Sequence, residues 1–234
     1  MAGRDMGARR FSGRREAAIG LGAYALYLGV RSLVVNERGR RKARRNAERL
    51  VALERRLAIH SEPALQRLLL PRTRFVAGLN VGYAVLNFGL TVGWLMRLFF
   101  ARDADFHRLR RAAVLTFCGA QPVFLLFPTA PPRTLEGFVD TISEVSGIDL
   151  DAGPIAELYN PLAAMPSIHV AFAVVTATGL AETSPSRLVR RLAPVYPPLV
   201  AFTVVATANH YVLDGVAGAA LGALGLRTAR ALER

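Results

Sequence analysis

Long apolar runs without a single charge alternate along the chain with short, strongly charged segments. Residues 75–96 form one such run of 22, residues 112–132 one of 21 and residues 158–181 one of 24. Residues 192–226 add 35 more, broken only by Asp214. A membrane-spanning helix needs about 20 mostly apolar residues, so the last run is long enough for two helices that meet near Asn209. A further run at 17–35 is flawed only by Arg31, close enough to its end for the long side chain to snorkel to the interface. The pattern predicts an all-α fold: a six-helix transmembrane bundle in a single domain, 1–234. Its helices are expected at 17–35, 75–98, 112–130, 166–183, 192–208 and 210–227. The first run also has the alternative reading of a secretory leader, because Arg9, Arg10, Arg14 and Arg15 precede it. No small-residue cleavage site follows it.

The connections differ in character. Residues 1–16 form a basic N-terminal tail. In the 37–74 segment Leu50, Leu53 and Leu57 recur at helical spacing opposite Arg45, Arg49 and Arg56. Pro63 then interrupts, and Leu65, Leu68 and Leu69 resume the apolar face. This predicts either a broken amphipathic helix lying in the membrane interface or a solvated helical hairpin. The connection at 133–157 carries Glu136, Asp140, Glu144, Asp149, Asp151 and Glu157 against one arginine, so it should face water. The pairs Gly78/Gly82, Gly89/Gly93 and Gly218/Gly222 each place two glycines one turn apart, which lets membrane helices approach closely.

Composition adds a constraint. A chain that is 52% hydrophobic yet carries a formal charge of +13 reconciles the two only by segregating them. The basic residues are spread over the connections between apolar spans and are not interleaved with aromatics in a nucleic-acid-binding module. Nucleic acid is thereby excluded as a partner in favour of an anionic membrane surface. The single cysteine, Cys118, rules out an internal disulfide.

Three polar stretches interrupt the apolar runs: Phe127-Pro128-Thr129-Ala130-Pro131-Pro132-Arg133, Ala164-Met165-Pro166-Ser167-Ile168-His169-Val170-Ala171 and Asn209-His210-Tyr211-Val212-Leu213-Asp214. In an up-and-down bundle all three fall at one membrane face. The topology therefore gathers Arg133, Ser167, His169, His210 and Asp214, and ionisable groups in such places are functional candidates. On a helix, His210 and Asp214 stand four apart and share a face. The carboxylate can then fix the imidazole tautomer and leave the other ring nitrogen as nucleophile. Ser167 and His169 open a helix beside Pro166, where free N–H groups and the helix dipole favour a phosphate. His169 can protonate a leaving oxygen, and Arg133 offers a planar fork for phosphoryl oxygens. His169, His210 and Asp214 have neither the spacing nor a thiolate that would make a zinc site, so no metal or other cofactor is expected.

The Pro166–His169 and His210–Asp214 motifs resemble the second and third motifs of the type-2 phosphatidic acid phosphatase superfamily. The proline-rich stretch at 128–132, together with Met165-Pro166-Ser167-Ile168-His169, resembles the branch containing fungal inositol phosphorylceramide synthase. The 44–70 segment is similar to actinobacterial members, so the likeness runs from about Tyr24 to Gly222. It implies six helices and a metal-independent, two-step reaction. In that reaction His210 is the nucleophile, Asp214 its orienting partner, His169 the general acid and Ser167 a phosphate binder. Two departures stand out: the superfamily's usual lysine and second arginine fall here at Leu126 and Val204.

The expected function is that of a membrane lipid phosphatase or phosphotransferase acting on a lipid or polyprenyl phosphate. Water as acceptor makes a phosphatase, and an alcohol such as inositol makes a transferase. A non-catalytic lipid-binding scaffold is the competing class. The expected location is the cell membrane, multi-pass, and the resemblance implies an active site on the extracytoplasmic face. The positive-inside rule nearly cancels between the two sides and does not decide.

Overall fold

The computed structural model describes residues 11–83, 87–147, 157 and 159–234. Positions 1–10 of the basic tail, and Asp149 and Asp151 of the acidic connection, lie outside the described residues. The described chain is all-α: α1 (Gly13–Val34), α2 (Glu37–Arg56), α3 (Glu62–Leu69), α4 (Thr73–Val81), α5 (Asn87–Phe100), α6 (Phe106–Leu126), α7 (Thr141–Ser146), α8 (Ile168–Thr183), α9 (Arg187–Leu192), α10 (Tyr196–Ala206) and α11 (Val212–Ala231). Four helical stretches are long and apolar enough to cross a membrane: Gly13–Val34, Phe106–Leu126, Arg187–Ala206 and Val212–Ala231. Phe88–Phe100 and Ile168–Thr183 are apolar but shorter.

Several boundaries differ from the expected ones for identifiable reasons. The third apolar helix, expected at 112, begins at Phe106 because its arginines find partners. Arg108 bonds Asp105 at 2.6 Å and Glu182 at 2.9 Å, and Arg110 lies 3.1 Å from Glu16. The helix expected at 75–98 is described as α4 and α5, with 84–86 outside the described residues. The last helix starts at Val212, two residues later than expected, which takes His210 off it.

Helix α8 is the axis of the bundle. It is apolar on every side and packs against α5, α6, α10 and α11, as a helix without a polar face must. Its closest neighbour is α11, and Gly218 and Gly222 make that approach possible. A Cβ at either would overlap the carbonyl oxygen of Ser167 or of Ala171. Among the described residues the other glycine pairs show no such packing role: Gly78, Gly89 and Gly93 meet no neighbour there, and Gly82 has only a methyl of Thr203 nearby.

The 37–69 segment folds back over one end of this bundle. Its turn from α1 is capped by Asn36, whose side chain accepts from Gly39 N at 2.9 Å. The buried stripe of α2 is Ala43, Asn46, Ala47, Leu50 and Glu54, not the expected Leu50–Leu53–Leu57 face; Leu53 and Leu57 are exposed. Ala43, Ala47 and Leu50 pack on Ala130, Leu162 and Tyr211, and Asn46 donates to Pro128 O at 2.8 Å. Gln66 of α3 exchanges two hydrogen bonds with the backbone of Val139. The hairpin is thus a tertiary cover on the polar loops, set there by small residues and amides that a search for leucine periodicity passes over.

Candidate active site

The loops covered by α2 and α3 carry the chemistry-bearing residues. The 127–133 loop leaves α6 at Phe127 and runs beside the 160–164 stretch, joined through Thr129 N to Leu162 O at 2.8 Å and Ala164 N to Thr129 O at 3.2 Å. Arg133 N donates to Ala208 O at 2.8 Å, and Ser167 N donates to Asp214 O at 3.0 Å. Backbone bonds therefore lock the three polar stretches together before any side chain is considered.

His210 lies in the turn before α11. Its backbone N–H and that of Asn209 both reach Val204 O, at 3.1 and 3.0 Å. Its Nδ1 lies 2.8 Å from Ala164 O and 3.4 Å from Asp214 Oδ2. A carbonyl oxygen can only accept, so Nδ1 carries the proton and Nε2 holds the lone pair. Asp214 is the third residue of α11 and caps it: Oδ2 accepts from Tyr211 N at 2.9 Å. The i, i+4 relation of His210 and Asp214 is thus met across a helix cap rather than along a helix face, and the backbone carbonyl makes the shorter contact.

His169 stands one residue inside α8. Its ring centroid is 5.6 Å from that of His210 and 4.3 Å from Tyr83, on which it stacks. Both histidines line a cavity of about 380 Å³ whose other walls include Tyr27, Tyr83, Phe88, Tyr159, Asn160 and Asn209. Among the described residues, no lysine or arginine lines it. Ser167 is fully buried, and its hydroxyl accepts from Val170 N at 3.4 Å as the N-cap of α8, behind the cavity wall. Arg133 is also behind the wall, its guanidinium spent on Asp140 (3.1 Å), Asn209 Oδ1 (3.3 Å) and Tyr159 OH (3.3 Å). Asn209 and Tyr159 line the cavity, so the charge reaches it through them. The positions of the two absent superfamily cations are unlike: Leu126 is 70% exposed, whereas Val204 is fully buried.

Sequence reasoning missed several participants. Tyr83 and Tyr159 are isolated aromatics in runs read for hydropathy alone. The Ala164 carbonyl has no side-chain signature, although Ala164 opens the second polar stretch. Glu54, His60 and Glu62 were passed over within an arginine-rich segment. Yet both carboxylates are fully buried and accept from the first turn of α11, Glu62 Oε1 from Val212 N at 2.8 Å and Glu54 Oε1 from Leu213 N at 2.7 Å. Burial, then the adjacent Glu62 carboxyl, push the Glu54 carboxyl up to about 8. Two acids at 54 and 62 flanking a histidine were the available signal.

No curated protein sequence matches the chain. Among solved structures, Aquifex aeolicus LpxE is similar at 21% identity with a TM-score of 0.48, covering 72% of this chain and 91% of that one. Residues 48–228, which include all five site candidates, match the PAP2 superfamily. With that match over most of its length, and with the histidine motifs joined around one cavity, the chain belongs to the PAP2 superfamily.

Proposed function

We propose that this protein is a membrane enzyme that moves the phosphoryl group of a lipid or polyprenyl phosphate through a phosphohistidine at His210. The observation that carries the proposal is the His210 ring itself: Nδ1 is held 2.8 Å from an acceptor-only carbonyl, on a cavity shared with His169. The Nε2 lone pair attacks phosphorus while the P–O bond to the lipid breaks, and His169 gives its proton to the departing oxygen. In the second step His169 takes a proton from water, the resulting oxygen attacks phosphorus, and the P–N bond breaks to regenerate neutral His210. Asp214, buried beside Nδ1, stabilises the positive charge that the ring acquires between the steps. Arg133 orients the hydroxyl of Tyr159 toward the phosphoryl oxygens, and Asn209 holds the guanidinium in place, its Oδ1 accepting from Arg133 and its Nδ2 donating to Thr207. These groups suffice for both steps, and none requires a metal.

A lipid substrate fits the surroundings. An apolar groove of about 680 Å³ runs between α1, α5 and α6 and shares Phe88 and Phe117 with the site cavity. An acyl or prenyl chain seated there would present its phosphate to the histidines. The 37–69 hairpin, with its exposed arginines, covers the same end and draws in anionic heads, each nearby charge contributing about 1 kcal/mol.

Loss of the cations at Leu126 and Val204 favours a second reading, transfer of an inositol-phosphate-type group to a lipid alcohol. A phosphodiester carries less charge than a monoester and needs fewer cations to hold it. Purified protein incubated with labelled lipid phosphates, with and without inositol, and with a labelled inositol phospholipid plus a lipid alcohol, tests both. Release of inorganic phosphate marks the phosphatase and a new labelled ester marks the transferase. Lipid binding with no turnover of either kind would leave only a scaffold.

A further inference from the structure

Beside the active site, three groups converge from the covering hairpin. Glu54 ends the buried stripe of α2, Glu62 opens α3, and His60 lies in the connection between them. One ligand atom from each of Glu54, His60 and Glu62 lies within 4.8 Å of the other two. Nδ1 is 2.9 Å from Glu62 Oε2 and 3.5 Å from Glu54 Oε2, yet neither approach has hydrogen-bond geometry, and all three atoms are buried without a hydrogen-bond partner. The other oxygen of each carboxylate is already committed to the backbone of α11. Two fully buried carboxylates side by side are costly unless a cation compensates them. Although the surrounding segment is rich in arginine, no arginine or lysine pairs with either one among the described residues.

We propose that Glu54, His60 and Glu62 form a divalent-cation site of the zinc class that fastens the 37–69 hairpin to the first turn of α11. Two carboxylate oxygens and one imidazole nitrogen are a donor set suited to zinc or a neighbouring first-row ion, and less to magnesium or calcium, which prefer oxygen alone. The ion's charge of +2 matches the two carboxylates. The Val212 and Leu213 N–H groups are its outer support, holding each carboxylate by the oxygen that the metal does not use. The role is structural: the ion ties the hairpin to the turn between His210 and Asp214 and takes no part in the phosphoryl steps.

Full-length protein purified on a tag without histidine, stripped with chelator and dialysed against zinc, should retain one equivalent by elemental analysis. Its melting temperature in detergent should rise with added zinc, since a ligand that binds the folded state stabilises it. His60→Ala and Glu62→Gln should lose both the equivalent and the rise. If those variants do not fold, zinc-edge absorption on the wild-type protein decides. A shell of oxygen and nitrogen at ~2.0–2.1 Å with one imidazole supports the site, and a shell containing sulfur overturns it. Equal zinc in wild type and His60→Ala, or a melting temperature indifferent to zinc, would also overturn it. The triad would then be a buried acid–imidazole cluster sharing protons. None of these readouts depends on turnover, so the inference stands or falls apart from the phosphohistidine mechanism.

Discussion

His210 Nδ1 is 2.8 Å from the carbonyl oxygen of Ala164, closer than the 3.4 Å that separates it from Asp214. Ala164 sits just ahead of the Pro166–His169 motif, so the segment that supplies His169, the proposed general acid, also sets the tautomer of His210, the proposed nucleophile. The contact is made by backbone and persists whatever side chain stands at 164.

His210→Ala should abolish turnover of the true substrate while leaving the melting temperature in detergent near that of wild type. Alkaline quench of wild-type protein with labelled substrate should trap a base-stable, acid-labile phosphoprotein that the variant cannot form. Near-normal activity in the variant would refute the mechanism.

Asp214→Asn separates orientation from charge. Ala164 O still selects the Nδ1–H tautomer, and the asparagine oxygen can still accept from Tyr211 N, so only the negative charge is lost. Turnover should fall by about 10²–10³, less than the ~10⁴ that accompanies a wrong tautomer in a serine triad. A loss as complete as that of His210→Ala would return the orienting role to the carboxylate.

Gly218→Ala places a methyl group against Ser167 O, at the helix start that holds His169. Backbone cannot step aside as a flexible side chain can, and overpacking of this kind costs about 1–3 kcal/mol. The variant should melt well below wild type, and Gly222→Ala likewise. Gly89→Ala, with open space around it, should melt within error of wild type. Equal behaviour of Gly218→Ala and Gly89→Ala would mean that α8 and α11 are not packed as described.

Single cysteines at Ser143 and Ser186 in a Cys118→Ala background report sidedness in intact cells. Both positions are exposed, Ser143 on α7 at the site end and Ser186 just before α9. An impermeant thiol reagent should label position 143 and spare position 186. The reverse pattern would place the site in the cytoplasm, and labelling of both would refute the helix count.

Arg133→Lys keeps a charge but cannot bond Asp140, Asn209 and Tyr159 together, because an ammonium lacks the planar fork. The Michaelis constant should rise more than kcat falls, since substrate loses its pre-set Tyr159 hydroxyl. A pure loss of kcat at unchanged KM would move Arg133's role to the transition state.

The sequence by itself determined the all-α class, the polar stretches at one end of the bundle and the superfamily. Each is written locally: apolar runs of spanning length need no partner to be recognised, and the two histidine motifs are contiguous. Tertiary structure alone decided which atoms meet. Val212 N reaches Glu62 across 150 positions and Leu213 N reaches Glu54 across 159, and Ala164 O enters through a backbone atom common to every residue. The search for metal ligands among His169, His210 and Asp214 could not find Glu54, His60 and Glu62, because a buried glutamate in an arginine-rich helix reads as a solvated one. Periodicity likewise favoured Leu53 and Leu57 over Ala43 and Ala47, since hydropathy ranks side chains by size. Close packing against a loop selects the small ones.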